Sequence, residues 1–258
     1  QTLLVMRTKN SEHALLVLLV GIVLIIPESC NPEYSTNRVY PPLELGEPFE
    51  FSDSRDSNTY RAYKIGEQTW MKENLAYLPS CSPSSEESDT ALLYYVYAYE
   101  GTNVSSAKNE DNYNQYGVLY NWKAALVSCP YGWHLPIDQE WKILELFCGM
   151  QTYDVDNDGW RRTHDVGHQL IYDEYYGYNR SGFNGLFAGM RRLNGKRGIG
   201  DYEGGFYGLH SNANFWTISP CDSLNSWVRE IWSSAEGAVY RDPQNIKYGF
   251  SVRCIKDE

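Results

Sequence analysis

The chain has 258 residues, a formal net charge of −11 at neutral pH, and 22 tyrosines. That acidity opposes the approach of a phosphate backbone, which excludes nucleic acid as the main partner, and it equally opposes docking on anionic lipid through a basic face. From Cys30 onward the length suffices for one sizeable core or two small ones, and the tyrosine content suits a β-rich surface able to contact sugars or proteins.

Met6 reads as the natural start. Arg7 and Lys9 precede an apolar run, Ala14 to Ile26, that only Gly21 interrupts. This run is shorter than the roughly 20 residues a spanning helix needs and fits the core of a signal peptide over residues 1–29. Ile26-Pro27-Glu28-Ser29-Cys30 resembles a relaxed lipobox, in which Cys30 becomes the acylated first residue, although Pro27 and Glu28 depart from the usual small residues. The alternative is plain secretion with Cys30 an ordinary thiol. Residues 30–47, with Pro32, Pro41 and Pro42, read as an extended tether, leaving a domain over residues 48–257.

Phe49 to Ile65 contains two strand-like stretches around the turn-rich Asp53-Ser54-Arg55-Asp56-Ser57-Asn58, which predicts a hairpin; Gly66 to Met71 continues as a further strand. Pro79 to Asp89 reads as a loop, Leu92 to Tyr99 as an aromatic strand, and Thr102 to Asn114 as polar loop. Tyr120 to Ser128 has helical spacing. A second helix is better marked: Asp138 as cap, Glu140 in the first turn, Trp141, Leu144 and Phe147 on one stripe, and Gly149 as the stop. Beyond Gly149 come short aromatic and glycine-rich stretches at 183–191, 215–218, 227–232, 238–240 and 249–255. The expected class is α+β, with two short helices, short antiparallel strands and long loops.

With Cys30 given to lipid, Cys81, Cys129, Cys148, Cys221 and Cys254 remain. An oxidising compartment favours disulfides, and no pair has the C-x-x-C spacing of a zinc or thioredoxin-like site. The expected bridge is Cys129 to Cys254, with Cys148 to Cys221 as a second candidate.

Tyr60 to Leu75, Tyr116-Gly117-Val118-Leu119-Tyr120-Asn121-Trp122, Cys129 to Trp141 and Tyr248 to Asp257 occur in the order found in the Fibrobacter succinogenes major paralogous domain family, which the chain resembles over about residues 48–257. The resemblance implies an exported or lipidated protein of bacteria of the Bacteroidetes and Fibrobacter type. It also implies a C-type lectin-like domain related to the formylglycine-generating-enzyme group, with Cys129 and Cys254 at the places of that fold's disulfide. Ile137 departs from the small residue the family has before the helix, so Asp138 would supply the cap alone. The family carries no general activity to transfer.

Asp154, Asp156 and Asp158, followed by Gly159 and with Asp165 at the twelfth position, have the alternating carboxylates of a calcium loop, so Ca²⁺ is the cofactor to weigh. Arg162 at the ninth position and Asp in place of the final Glu depart from that pattern, and the alternative is a solvated acidic turn held by Asx hydrogen bonds. His164 and His168 have helical ligand spacing, yet Gly167 interrupts and no third ligand is near, which favours a polar surface pair. His134, between Trp133 and Leu135, reads as a structural imidazole near the core.

A formylglycine-generating copper site would need two close cysteines late in the chain, where only Cys221 stands. A glycosidase would need two carboxylates about 5 to 9 Å apart; Glu230, between Trp227 and Trp232, is one candidate, but strand alternation alone would turn it to solvent. The sugar-chelating triplets of calcium-dependent lectins do not occur. Tyr202, Phe206, Tyr207, Trp216, Trp227 and Trp232 would offer stacking platforms where they face solvent.

The expectation is therefore a cell-envelope lipoprotein, outer-membrane or surface-exposed, that binds a glycan or a cell-surface protein without catalysis and touches the membrane only through its lipid. A structural surface component is the second class and an orphan hydrolase the third.

Overall fold

The computed structural model describes residue 43 and residues 45–172, 178–193 and 205–258. The leader over 1–29, Cys30 and most of the tether lie outside the described residues. Among the described residues no helix is long and apolar enough to cross a membrane.

The expected hairpin forms: β1 (Phe49–Ser52) and β2 (Thr59–Ile65) run antiparallel, with Ser52 opposite Thr59. Its turn is held by Asp53, whose carboxylate accepts from the Arg55 amide at 3.0 Å and the Arg55 guanidinium at 2.6 Å. A two-residue loop then leads to β3 (Gln68–Met71), with Ile65 opposite Gln68. Gly66 sits there at φ +61°, and a Cβ on it would meet the Phe147 ring at 2.9 Å, so the turn requires glycine.

Between residues 72 and 149 the elements are short. The 92–99 stretch contributes only β4 (Tyr94–Tyr95). The segment expected to be loop over 102–114 instead carries α1 (Val104–Lys108), capped by Asn103 accepting from the Ser106 amide at 2.9 Å, and α2 (Asp111–Tyr116). The helix expected over 120–128 shrinks to α3 (Trp122–Ala125), because Leu119–Tyr120 are drawn into the sheet as β5. After β6 (Trp133–His134) comes the expected helix α4 (Asp138–Phe147), which Gly149 ends at φ +104°. Its cap is corrected: Ile137 stands at the N-cap and Glu140 reaches back to accept from the Ile137 amide at 2.8 Å, which frees Asp138 for another task.

The remainder is dominated by strands: β7 (Gly159–Arg161), the short helix α5 (Val166–Leu170), then β8 (Ala188–Arg192), β9 (Gly205–Leu209), β10 (Asn212–Pro220), β11 (Asn225–Trp232), β12 (Val239–Asn245), β13 (Phe250–Ser251) and β14 (Ile255–Lys256). They complete a five-stranded sheet ordered β1-β2-β3-β14-β6, a seven-stranded sheet ordered β4-β5-β13-β10-β11-β12-β7, and a ribbon of β8 and β9. Among the described residues every pairing between these strands is antiparallel except that of β10 with β13. This corrects the expected α+β, C-type lectin-like class: 33% of the chain is strand and 17% helix, in curled sheets, so the architecture is mostly β. Helical spacing at 120–128 overstated one helix, whereas the long β10, β11 and β12 read as disconnected fragments.

Trp70, Trp141, Phe183 and Phe215 form one core cluster, with ring centroids 5.1 to 5.6 Å apart, where α4 packs on the sheets. Burying each such ring removes a large apolar area from water, on the order of 2–3 kcal/mol apiece. Cys129, after α3, is disulfide-bonded to the buried Cys254 before β14, as expected, with Cα atoms 6.0 Å apart. The second expected pairing does not form: Cys148 is a free thiol in the core and Cys221 a free thiol exposed between β10 and β11. Arg253, next to the disulfide, is buried and held by Asn74 Oδ1 at 2.7 Å and by the carbonyls of Met71 and Phe183. Burial pulls its guanidinium down to about 9, which still leaves it charged at neutral pH.

Candidate functional site

In a strand, consecutive side chains point to opposite faces. In the ladder of β7, β12 and β11, Tyr240 stands opposite both Trp160 and Glu230, while Arg241 stands opposite Arg229. One face of the sheet therefore carries Trp160, Tyr240 and Glu230. Arg229 and Arg241 occupy the other, toward α4.

On the α4 face, charges are matched one for one. Glu145, fully buried, accepts from Arg161 at 2.6 and 2.8 Å and from Arg229 Nε at 2.6 Å. Asp138 takes Arg229 at 2.8 Å, Arg241 at 2.8 Å and Lys142 at 3.0 Å. Burial alone would raise the Asp138 carboxyl, but hydrogen bonds from Arg241 and the charge of Arg229 hold it far below the usual carboxylate range. The loop after α4 completes the set: Asp156 meets Lys142 at 2.7 Å and Asp158 meets Arg241 at 2.5 Å.

This places the expected calcium residues. Asp156 and Asp158 face protein cations; Asp154 accepts from Thr163 and, at 3.1 Å, from Asn157. Asp165 stands before α5 on left-handed backbone at φ 53°. The four do not converge, and among the described residues no group of three or more His, Cys, Asp or Glu is placed to hold a metal. The repulsion that a cation would relieve is relieved by Lys142 and Arg241 instead. His164 and His168 do not form a matched surface pair: His164 has φ 55° in a 3₁₀ turn, while His168 packs its ring 5.6 Å from Tyr178 and is lowered in pKa by burial, against the charge of Asp165. His134 bridges Asp257 at 2.7 Å and Glu140 at 2.9 Å; burial opposes its charge, but these two bonds raise its pKa.

The opposite face of the sheet floors a cleft of about 290 Å³. Trp160, Glu230, Trp232, Tyr240 and Gln244 rise from the sheet, and Met190, Arg192 and Tyr207 come from the β8–β9 ribbon. The ribbon is fastened to the sheet by reciprocal hydrogen bonds of 2.9 Å between Arg191 and Gly249, and by Asn214 Nδ2 donating to the Gly189 carbonyl at 3.0 Å. Gly189 has φ +69°, and a Cβ there would come within 2.6 Å of the Tyr207 carbonyl, so the close approach of the ribbon's strands excludes a side chain.

The aromatic wall is ordered by its own contacts. The Trp160 ring lies 5.5 Å from Trp232, edge to face, and 4.9 Å from Tyr240. Tyr248 stacks on Phe250 at 5.3 Å at the cleft's other side. Glu230 is 5% exposed, which corrects the solvent-facing expectation, and accepts from Trp232 Nε1 at 3.0 Å. Burial pushes its carboxyl up to about 7, the Trp232 bond opposing and the charge of Asp242 reinforcing. Tyr240 donates its hydroxyl to Asp242 at 2.7 Å. A group poised near neutrality both donates and accepts hydrogen bonds within the physiological range, and aromatic faces stack on the C–H faces of sugar rings.

Of the aromatics named from the sequence, Tyr207 and Trp232 line this cleft. Trp216 is fully buried, Phe206 packs on Tyr97 at 5.0 Å, Trp227 lies 3.8 Å under the Arg241 guanidinium, and Tyr202 is outside the described residues. Trp160, Arg192, Tyr240 and Gln244 were missed. The signal for Trp160 and Tyr240 was an aromatic directly beside an arginine, in Trp160-Arg161 and Tyr240-Arg241, a pattern shared by the acidic Glu230 in Arg229-Glu230, which marks two faces with different tasks; Arg192 and Gln244 carried no such signal.

Comparison with curated proteins and with solved structures returned no match. The family model described as the Fibrobacter succinogenes major domain matches residues 63–256, a span that contains the disulfide, the ion network and the whole cleft. The chain belongs to the Fibrobacter succinogenes major domain family.

Proposed function

We propose that this protein is an exported binding module, tethered to the cell envelope through lipid on Cys30, that recognises a glycan in the cleft and does not catalyse its turnover. The observation that carries this reading is the cleft itself: Trp160, Trp232 and Tyr240 form an aromatic platform, with Glu230 and Gln244 as hydrogen-bonding groups among them. Few apolar rings with a small number of placed polar groups suit a ligand that is apolar on its faces and hydroxylated at its rim. A volume of about 290 Å³ suits one or two sugar rings. Against catalysis, Glu230 is the one carboxyl among the cleft's lining residues, where a glycosidase needs a pair.

A glycan array probed with the protein and with Trp160→Ala tests this. Binding to defined oligosaccharides, weakened about tenfold or more in the variant, is the expected result. Silence across the array, or release of new reducing ends from the bound glycans, would overturn it. Palmitate labelling, lost in Cys30→Ser, tests the anchor.

A further inference from the structure

We infer that the ligand is a carboxylated sugar of the uronate class, its carboxylate paired with Arg192 and its hydroxyls meeting Glu230. This rests on the glycan reading above and adds the ligand's charge.

The cleft carries one guanidinium and one carboxyl among its lining residues, Arg192 and Glu230. Arg192 lies with its guanidinium 4.8 Å from the Tyr207 ring, and among the described residues it forms no ion pair. A guanidinium stacked on an aromatic face keeps its N–H edge free for a planar anion, and a carboxylate is the group that edge fits in two parallel hydrogen bonds. The contrast with the opposite face of the same sheet is direct: there Arg161, Arg229 and Arg241 are each taken by protein carboxylates.

Glu230 decides the local sign. Trp232, Tyr240, Tyr248 and Asn214 stand around it, and the charge of Asp242 acts on it. Buried among them, it holds its proton up to about pH 7, so that below neutrality Arg192 is the one charge lining the cleft of a protein of net charge −11. Above neutrality Glu230 ionises and repels a bound carboxylate. Tyr248, whose phenol is raised by burial, lines the same cleft, where the charge of Arg192 opposes that rise and those of Glu230 and Glu87 reinforce it.

The test titrates the full chain with homo-oligomers of glucuronate, galacturonate and mannuronate, each against its neutral hexose counterpart, at pH 6 and pH 8. At least one uronate should bind tenfold or more tightly than its neutral counterpart at pH 6. Arg192→Gln should abolish that preference, Arg192→Lys should keep part of it, and neutral oligomers should be indifferent to both. Uronate affinity should fall several-fold from pH 6 to pH 8, and Glu230→Gln should flatten that fall. Equal binding of neutral and acidic oligomers, or a preference that survives Arg192→Gln, would overturn this inference while leaving the glycan reading intact. Silence from both series would overturn the two together.

Discussion

Arg229 and Glu230 are neighbours in one strand and serve opposite sides of the sheet. Arg229 reaches Glu145 at 2.6 Å and Asp138 at 2.8 Å beneath α4, whereas Glu230 lies on the cleft side against Trp232. Substitutions on the two faces, at Glu145 beneath Arg229 and at Glu230, should therefore separate folding from binding.

Removing Glu145 leaves Arg161 and Arg229 buried without their shared carboxylate. Glu145→Gln should lower stability by about 3–5 kcal/mol, read from urea denaturation midpoints. Glu230→Gln, on the other face, should leave the midpoint near wild type at pH 5.

The proton on Glu230 gives a defined pH dependence. Its folded value, about 7, lies above the ordinary 4.5, so the folded state binds a proton that the unfolded state has lost. The stabilisation is full below about pH 4.5 and is lost as pH rises toward 7 and beyond, a change of about 3 kcal/mol. Stability measured from pH 4.5 to 8 should fall by that order in the wild type and lose this component in Glu230→Gln. Identical slopes would remove Glu230 as the titrating group.

The disulfide closes a loop of 125 residues between Cys129 and Cys254. The double variant Cys129→Ser/Cys254→Ser should be less stable by about 4–5 kcal/mol, from the freedom returned to the unfolded chain. Reductant should lower the midpoint of the wild type and leave that of the variant unchanged.

Because Asp156 and Asp158 are already paired with Lys142 and Arg241, calcium should find no vacant set of oxygens at this loop. The melting midpoint should be the same in chelator and in saturating Ca²⁺. A rise with Ca²⁺ that Asp156→Asn abolishes would contradict the salt-bridged reading.

The parts legible in the sequence are those with local signals. The hairpin at Asp53–Asn58, the stripe and stop of α4, and the pairing of Cys129 with Cys254 were all visible. The cleft was not, because a charged residue in a strand reads as solvent-facing. The partners that allow Arg229 to be buried, Glu145 and Asp138, lie 84 and 91 residues away. Once Arg229 is turned inward, Glu230 must occupy the face with Trp160 and Tyr240, and tertiary pairing decides this, not propensity. Helices α1 and α2 were missed for the opposite reason: their polar sequences bury only Ala107, Tyr113 and Tyr116, too few to show a periodic stripe.

The most direct measurement is a crystal structure of the protein with an oligosaccharide that it binds. Sugar density stacked on Trp160 or Trp232, with a hydroxyl within hydrogen-bonding distance of Glu230, is the expected result. An empty cleft beside a sugar bound elsewhere on the molecule would contradict it.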